Sequence, residues 1–212
     1  LQVHTPFSSL NNGFGSDFPA YAKQLIERAC KDDIAVVGIT DYFTIQGYTE
    51  LKKLLADESA LKALVGEYLA ERAAGILFLP NIELRLSTII RNPKGADNRV
   101  NFHVLFSDSV SPAHIEEHFL RELKFTADAN TGSEDERWAL NPQNLAELGK
   151  RLKTHHANFQ GQTDIFVGMM NAIIDHSEVS RILENKISFF KDRYLLCLPC
   201  DEDLSKCSWD GQ

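Results

Sequence analysis

The sequence predicts an α/β fold whose mainly parallel sheet curves into a barrel-like arrangement. Short apolar runs alternate with longer segments in which apolar residues recur at helical spacing. The run IAVVGI at 34–39 is apolar throughout, which is typical of a strand that is buried on both faces. Strands that alternate with helices along the chain favour parallel pairing, because each helix carries the chain back to the start of the next strand.

Five segments are predicted as strands, at 1–5, 34–39, 76–79, 100–106 and 194–198. The third is expected to end at Pro80. Helix starts are expected at Ser111-Pro112 and at Asn141-Pro142, where a capping side chain stands just before a proline, and at Asp17, which would have Pro19 in the first turn of its helix. A helical region at 49–74 is expected to form two helices, and the segment 164–184 one or two. The polar segment 128–136 is expected to be a loop.

Composition limits the classes of protein that fit. Of 212 residues, 43% are hydrophobic and 25% are charged, as in ordinary soluble domains, and no apolar run approaches 18 residues. The net charge of −8 argues against a nonspecific coat on nucleic acid, although a carboxylate-rich metal site could still serve a nuclease. Four cysteines are too few for a disulfide scaffold, which favours a reducing, cytoplasmic location. We expect one domain over 1–212.

Polar residues collect where the predicted strands end. Gln2 and His4 close the first strand, Asp41 follows the second, Glu83 follows the third, and His103 lies in the fourth. Functional residues of parallel α/β folds gather at this edge of the sheet. Two imidazoles, two carboxylates and an amide form a donor set that suits Zn, Mn or Fe.

Four motifs resemble, in order, those of the PHP (polymerase and histidinol phosphatase) family. They read LQVHTPFSS, GITDYFTIQGY, LPNIELRL and NFHVLFSD, and together they cover roughly 1–123. In particular they are similar to the PHP domain at the front of TrlF-type AAA-like ATPases. The resemblance implies a distorted seven-stranded β/α barrel that binds up to three divalent metal ions and cleaves phosphate esters, nucleic acid included. It also implies that an AAA/SMC-like ATPase region follows this domain in a larger protein.

The resemblance also assigns roles to individual positions. His4 matches the second histidine of the first motif, Asp41 the aspartate of the second, Glu83 the glutamate that bridges metals, and His103 the next family histidine. Gln2 stands where the family has its first histidine, and we expect it to contribute a carbonyl oxygen. The metal ligands expected are therefore these five residues.

Other positions depart from the family pattern. Tyr42 replaces a histidine, Ser8-Ser9-Leu10 stand where the family has Ser-Asp-Gly, and the final Asp-x-His motif is not evident. Asp41, Glu83 and Arg85 are the residues predicted to take part in catalysis, with Arg85 or Arg99 steadying phosphate oxygens. The alternative is a PHP fold without a working site, which would serve as a binding or regulatory module for the ATPase.

Plainer roles remain open for each residue. His4 and His103 could be ordinary half-buried histidines, and Asp41 could cap the turn that follows its strand. Glu83 could pair with Arg85, which lies two residues further on and therefore on the same face of an extended strand. A common location for His4, Asp41, Glu83 and His103, beside Gln2 and Tyr42, is the geometric test that separates these roles from a metal site.

Overall fold

The computed structural model describes residues 1–9, 13–91, 95, 97–127, 136–198 and 208–209. Its strands are β1 (Gln2–His4), β2 (Val36–Tyr42), β3 (Leu77–Arg91), β4 (Asp97–Phe106), β5 (Lys124–Ala127), β6 (Trp138–Ala139), β7 (Ala172–Ile173), β8 (Tyr194–Cys197) and β9 (Ser208–Trp209). Its α-helices are α1 (Phe18–Lys31), α2 (Gln46–Ala56), α3 (Glu58–Val65), α4 (Glu67–Ala73), α5 (Pro112–His118), α6 (Pro142–His155), α7 (Asp164–Asn171), α8 (His176–Asn185) and α9 (Ile187–Phe190).

The central sheet is mixed. Its strands lie in the order β1-β2-β3-β4-β8, and β9 pairs with the far end of β3. Pairing is parallel between β1 and β2 and between β2 and β3, and antiparallel at β4, β8 and β9. Four of these six strands, β1, β2, β3 and β8, therefore run in one direction. Within the described part of the chain, β1 and β8 lie at opposite ends of this order, so the predicted barrel is not confirmed.

The strand β3 is much longer than expected. Pro80 does not end it but lies inside it, in register with Ile39 of β2. The chain then continues to Arg91 and returns as β4 after only five residues, 92–96. So short a connection allows only an antiparallel hairpin, because a parallel return needs a crossover of a dozen or more residues. Asn81 and Glu83 consequently lie within a strand, and His103 faces them from an antiparallel neighbour.

The predicted helix starts are confirmed. Asp17, Ser111 and Asn141 are N-caps, and each side chain accepts a hydrogen bond from a backbone N–H three residues further on. The helical region expected as two helices forms three, α2, α3 and α4. It divides at Asp57, which caps α3, and at Gly66, whose φ of 83° is the left-handed conformation that favours glycine.

The second half of the chain packs on the central sheet through a small three-stranded sheet. Its order is β6-β5-β7, and a parallel bridge joins Leu86 of β3 to Ile174, just after β7. The strand β7 separates α7 from α8, so the segment 164–184 forms two helices. One apolar core includes Ile82 and Leu84 of β3 together with Leu148 of α6 and Val179 of α8. In the described part of the chain, no helix has both the length and the apolar character needed to cross a membrane.

Candidate functional site

Glu83 and His103 face each other across the β3–β4 hairpin. They are cross-strand partners, and both are buried. Tyr42, the last residue of β2, is the partner of Glu83 on the other side of β3. Opposed residues on neighbouring strands place their Cβ atoms about 5 Å apart, so these three side chains lie next to each other. Three of the PHP-like motifs therefore meet at one point of the sheet.

His4 joins this cluster from the edge strand β1. Its Nε2 lies 3.2 Å from Oε2 of Glu83, and its ring stacks on Tyr42 with centroids 5.9 Å apart and planes inclined by 13°. On the other side of the ring, Nδ1 lies 3.3 Å from the hydroxyl of Ser8. His4, Tyr42, Glu83 and His103 thus converge. We refer to these four residues as the glutamate cluster.

The buried carboxylate of Glu83 is poorly satisfied. Its Oε2 has no aligned hydrogen bond within the described residues, although His4 is within ion-pair distance. Burial raises the pKa of Glu83, but polar contacts with His4 and Tyr42 and the charges of His103 and His4 outweigh burial, so this pKa lies below its usual value. The carboxylate is therefore ionised at neutral pH.

Asp41 has a different environment. Its Oδ1 accepts hydrogen bonds from the backbone N–H of Thr5 at 3.1 Å and from the hydroxyl of Thr5 at 2.8 Å, and its Oδ2 accepts one from the N–H of Gly47 at 3.0 Å. Burial raises the pKa of Asp41 to about 6, against the effect of these bonds. We call Asp41, Thr5 and Gly47 the aspartate bracket, because they tie the end of β1 to the start of α2.

Gly47 is required by this bracket. A Cβ atom at this position would lie 2.2 Å from Oγ1 of Thr5 and 2.4 Å from Oδ2 of Asp41, far inside van der Waals contact. The role of Asp41 resembles the turn-capping alternative more than metal binding, since both of its oxygens already accept hydrogen bonds. Neither Thr5 nor Gly47 was predicted from the sequence to have a role. The signal available for Gly47 was its position in the motif GITDYFTIQGY, close after Asp41.

Asn81 holds His103 in place. Its Nδ2 donates to the hydroxyl of Thr40 at 2.7 Å and lies 3.3 Å from Nδ1 of His103, whereas its own Oδ1 is buried without a partner in the described part of the chain. Sequence reasoning placed Asn81 in the third motif but gave it no role. Its separation of 41 residues from Thr40 and 22 from His103 explains why no local pattern indicated one.

The remaining predicted residues lie outside the glutamate cluster. Gln2 is exposed on the edge strand β1. Arg85 donates a hydrogen bond of 2.5 Å to the carbonyl of Met170 in α7, and its charge acts on the phenol of Tyr42. Arg99 donates to the carbonyl of Ser87. The structure therefore brings together four of the named side chains and places Asp41 beside them in a separate network.

The glutamate cluster fits a cation in part. Two donors on one ion, each about 2.1 Å from it, stand roughly 3.0–3.5 Å apart in octahedral or tetrahedral geometry. The 3.2 Å between His4 Nε2 and Glu83 Oε2 meets this condition, and Oε2 is the buried oxygen without an aligned partner. Across the described residues, however, no group of three or more His, Cys, Asp or Glu side chains is arranged to hold an ion. The fit is that of a two-ligand site.

Comparison with known proteins yields only distant matches. No family model matches the chain, and no curated protein matches it. Four solved chains match. One is an amidohydrolase from Chromobacterium violaceum, solved with sulfate and no metal, at 14% identity over 88% of this chain and 49% of that one, with a TM-score of 0.35. Another is a proposed metal-dependent phosphoesterase from Bifidobacterium adolescentis, at 14% identity over 87% and 48%, with a TM-score of 0.34.

This chain thus spans about half the length of the two solved structures. At such TM-scores the likeness decides neither the fold nor the function.

Proposed function

We propose that this chain is a PHP-type hydrolase domain that cleaves phosphate esters, with one divalent cation held between His4 and Glu83. The observation that carries the proposal is the buried Oε2 of Glu83, which has no aligned hydrogen bond within the described residues and faces an imidazole nitrogen at 3.2 Å. A buried carboxylate oxygen without a hydrogen bond destabilises the fold unless a proton or a cation compensates its charge.

The neighbours of this pair prepare it for a cation. The hydroxyl of Ser8 can either donate to Nδ1 of His4 or accept from it. When it accepts, the lone pair of Nε2 points towards Glu83, and this is the tautomer that a metal ligand needs. The stacked ring of Tyr42 limits rotation of the imidazole. Zn, Mn or Fe bound there would supply Lewis-acid chemistry, by neutralising phosphate charge and acidifying water.

A site with two protein ligands suits a cation that also binds the substrate, because phosphate oxygens and water can occupy the remaining positions. In this proposal Arg85 steadies the phosphate oxygens with the donors that Met170 does not use. Asp41 acts as a positioning residue, since it anchors the residue that follows His4. A nucleic-acid substrate and an associated ATPase region also belong to the proposal, and they rest on the resemblance of the motifs.

Metal binding and hydrolysis test the proposal together. We expect the wild-type chain to bind at least one equivalent of Mn²⁺ or Zn²⁺ by calorimetry and to hydrolyse bis-p-nitrophenyl phosphate. Replacement of His4 by Ala or of Glu83 by Gln should weaken metal binding and lower kcat/KM by roughly 100-fold, as the loss of one ligand from a small donor set does. His176→Ala and Glu184→Gln are the matched controls, because both residues are exposed on α8.

The proposal is wrong if the wild-type chain binds less than one equivalent of metal after loading. It is equally wrong if hydrolysis is the same in the His4 and Glu83 variants as in the controls, because the activity would then arise elsewhere or from a contaminant.

The second candidate is a PHP-like module that binds without cleaving. It is favoured by the lack of a three-residue metal group in the described part of the chain and by the engagement of Asp41 in the aspartate bracket. Such a module would bind a nucleic-acid fragment or its ATPase region with an affinity that neither EDTA nor Glu83→Gln alters. A metal-dependent affinity would instead support the hydrolase.

A further inference from the structure

Two histidines lie one helical turn apart on α5, in the run HIEEH at 114–118. His114 is exposed and His118 is half-buried, and neither ring has a hydrogen bond or an ion pair with another described residue. Residues four apart on a helix share one face, with their Cβ atoms roughly 5–6 Å apart. Two histidines at this spacing can bind one Zn²⁺ ion from the same face of a helix.

The backbone of α5 fixes the direction of this face. Ser111 caps the helix, because its hydroxyl accepts a hydrogen bond of 3.2 Å from the N–H of His114. Ile115 lies between the two histidines in the sequence and is fully buried in the core, which sets the rotation of the helix about its axis. As a result both imidazole rings contact the same side chain, Phe189 of α9.

The two rings already stand close to the spacing that one ion requires. Their centroids are 5.7 Å apart. With Zn–N bonds of about 2.1 Å, two imidazoles on one tetrahedral ion have centroids roughly 5.3 Å apart. A small rotation about the side-chain bonds of the exposed His114 covers this difference, so no movement of the backbone is needed.

Phe189 holds the two rings in place. It stacks on His118, with centroids 3.9 Å apart and planes inclined by 22°, and it meets His114 edge to face, at 4.9 Å and 63°. Rings that are already fixed lose less conformational freedom when an ion binds. The face of Phe189 also attracts the positive charge that an imidazole acquires when it binds a metal. The exposed carboxylate of Glu117, next to His118 in the sequence, adds negative charge to the same helix.

We infer that His114 and His118 form a surface site for Zn²⁺ or a similar transition-metal ion, separate from the glutamate cluster. Two imidazoles without a carboxylate favour Zn²⁺, Ni²⁺ and Cu²⁺ over Mn²⁺ and Mg²⁺. No third His, Cys, Asp or Glu of the described residues joins the pair, so water or an external ligand completes the coordination. The site is therefore open to solvent and its ion is exchangeable. It does not depend on the proposed function.

The test follows each ring separately during a titration with Zn²⁺ at neutral pH. Long-range ¹H–¹⁵N spectra of the ¹⁵N-labelled chain report the ring nitrogens of every histidine. We expect one nitrogen of His114 and one of His118 to shift with the same dissociation constant. His114→Ala should weaken Zn²⁺ binding at His118 by roughly 100-fold, because a chelating pair becomes a single ligand. His118→Ala should have the same effect at His114.

His155 provides the matched control, because it is exposed in the last turn of α6 as His118 lies in the last turn of α5. Its ring should respond only at the higher Zn²⁺ concentrations that a single imidazole needs, and His155→Ala should leave the pair unchanged. Phe189→Leu keeps both ligands and an apolar side chain but removes the aromatic face. We expect it to weaken Zn²⁺ binding about two- to fivefold.

Equal affinities at His118 in the wild-type chain and in His114→Ala would overturn the inference. It would also be overturned if the two rings of the pair responded at different Zn²⁺ concentrations, or bound Zn²⁺ no more tightly than His155. Because His114 is exposed, His114→Ala decides the test even if circular dichroism shows that His118→Ala does not fold. The ring of His4 reports the glutamate cluster in the same spectra, so a failure of either site is seen independently of the other.

Discussion

The aspartate bracket and the glutamate cluster lie side by side, and each is built on a buried carboxylate. In the bracket both oxygens of Asp41 accept hydrogen bonds from groups of Thr5 and Gly47. In the cluster Oε2 of Glu83 has no aligned hydrogen bond within the described residues and faces His4 instead. Burial raises the pKa of Asp41 to about 6, whereas the contacts around Glu83 lower its pKa in spite of burial.

The difference teaches that residue type at a motif position does not decide its role. Asp41 and Glu83 both stand at positions where the sequence motifs predicted metal ligands, yet both oxygens of Asp41 accept hydrogen bonds, whereas Oε2 of Glu83 has no aligned one within the described residues. The donors around Asp41 are the N–H and the hydroxyl of Thr5 and the N–H of Gly47, which hold its carboxyl group in one position, so we expect Asp41 to act in the stability of the fold. We therefore expect substitutions in the bracket to affect stability and substitutions in the cluster to affect metal binding and chemistry.

The largest effect on stability is expected for Asp41→Ala. It leaves two backbone N–H groups and one hydroxyl buried without an acceptor, and we expect the free energy of unfolding to fall by about 4 kcal/mol. Glu83→Gln should change it by only about 1 kcal/mol or less, because glutamine keeps an oxygen for the polar contact with Tyr42 and Oε2 has no aligned hydrogen bond to lose. Urea unfolding in EDTA measures the free energy of unfolding of both variants and of the wild type. Equal losses for the two variants would show that the proposed division of roles is wrong.

Gly47→Ala tests the packing of the bracket without removing any polar group. The added methyl would overlap the side chains of Thr5 and Asp41, so we expect a loss of about 3 kcal/mol in the free energy of unfolding. Gly75→Ala is the control, since its Cβ would make only an ordinary contact of 3.4 Å with the carbonyl of Arg72. A Gly47 variant as stable as this control would mean that the bracket can move.

The two carboxylates should also act oppositely on stability as the pH changes. The pKa of Asp41 rises from 3.8 to about 6 on folding, so the folded chain binds its proton more tightly than the unfolded chain does. The contribution of Asp41 to the free energy of unfolding is therefore complete below pH 3.8 and is lost as the pH rises towards 6. The pKa of Glu83 falls below 4.5 on folding, so its contribution is present above pH 4.5 and is lost as the pH falls through the lower, folded-state value.

Unfolding curves between pH 3 and 7 in EDTA measure these contributions. The wild-type chain should lose on the order of 2 kcal/mol of its free energy of unfolding between pH 4 and 6, and Asp41→Asn should not show this loss. Glu83→Gln should instead remove a loss that appears below pH 4.5. Shifts of the same sign in the two variants would contradict the opposite environments that distinguish bracket from cluster.

The smallest effect is expected at Asp175, which repeats the bracket on the surface. Its Oδ1 accepts from the N–H and the hydroxyl of Ser177, at 2.8 and 2.7 Å, and thereby caps α8. Because water can replace these bonds at an exposed position, Asp175→Ala should cost only about 1 kcal/mol in thermal or urea unfolding. A cost equal to that of Asp41→Ala would show that burial does not set the value of such bonds.

The sequence by itself determined the local features of this protein. The caps at Asp17, Ser111 and Asn141 were predictable because a cap and the N–H groups that it satisfies stand only two or three residues apart. The central strands were predictable in part, because short continuous apolar runs are typical of strands buried on both faces. The region 49–74 was expected to form two helices and forms three, because it divides at both Asp57 and Gly66.

Only the tertiary structure decided how the site is built. The antiparallel return of β4 placed His103 opposite Glu83, and the passage of β3 through Pro80 put Glu83 inside a strand. Asp41 accepts a hydrogen bond from the hydroxyl of Thr5, 36 residues away in the sequence, and Asn81 donates one to the hydroxyl of Thr40, 41 residues away. Pairings at such distances follow from the packing of whole strands, and for this reason no local motif could predict which carboxylate oxygen would lack an aligned hydrogen bond within the described residues.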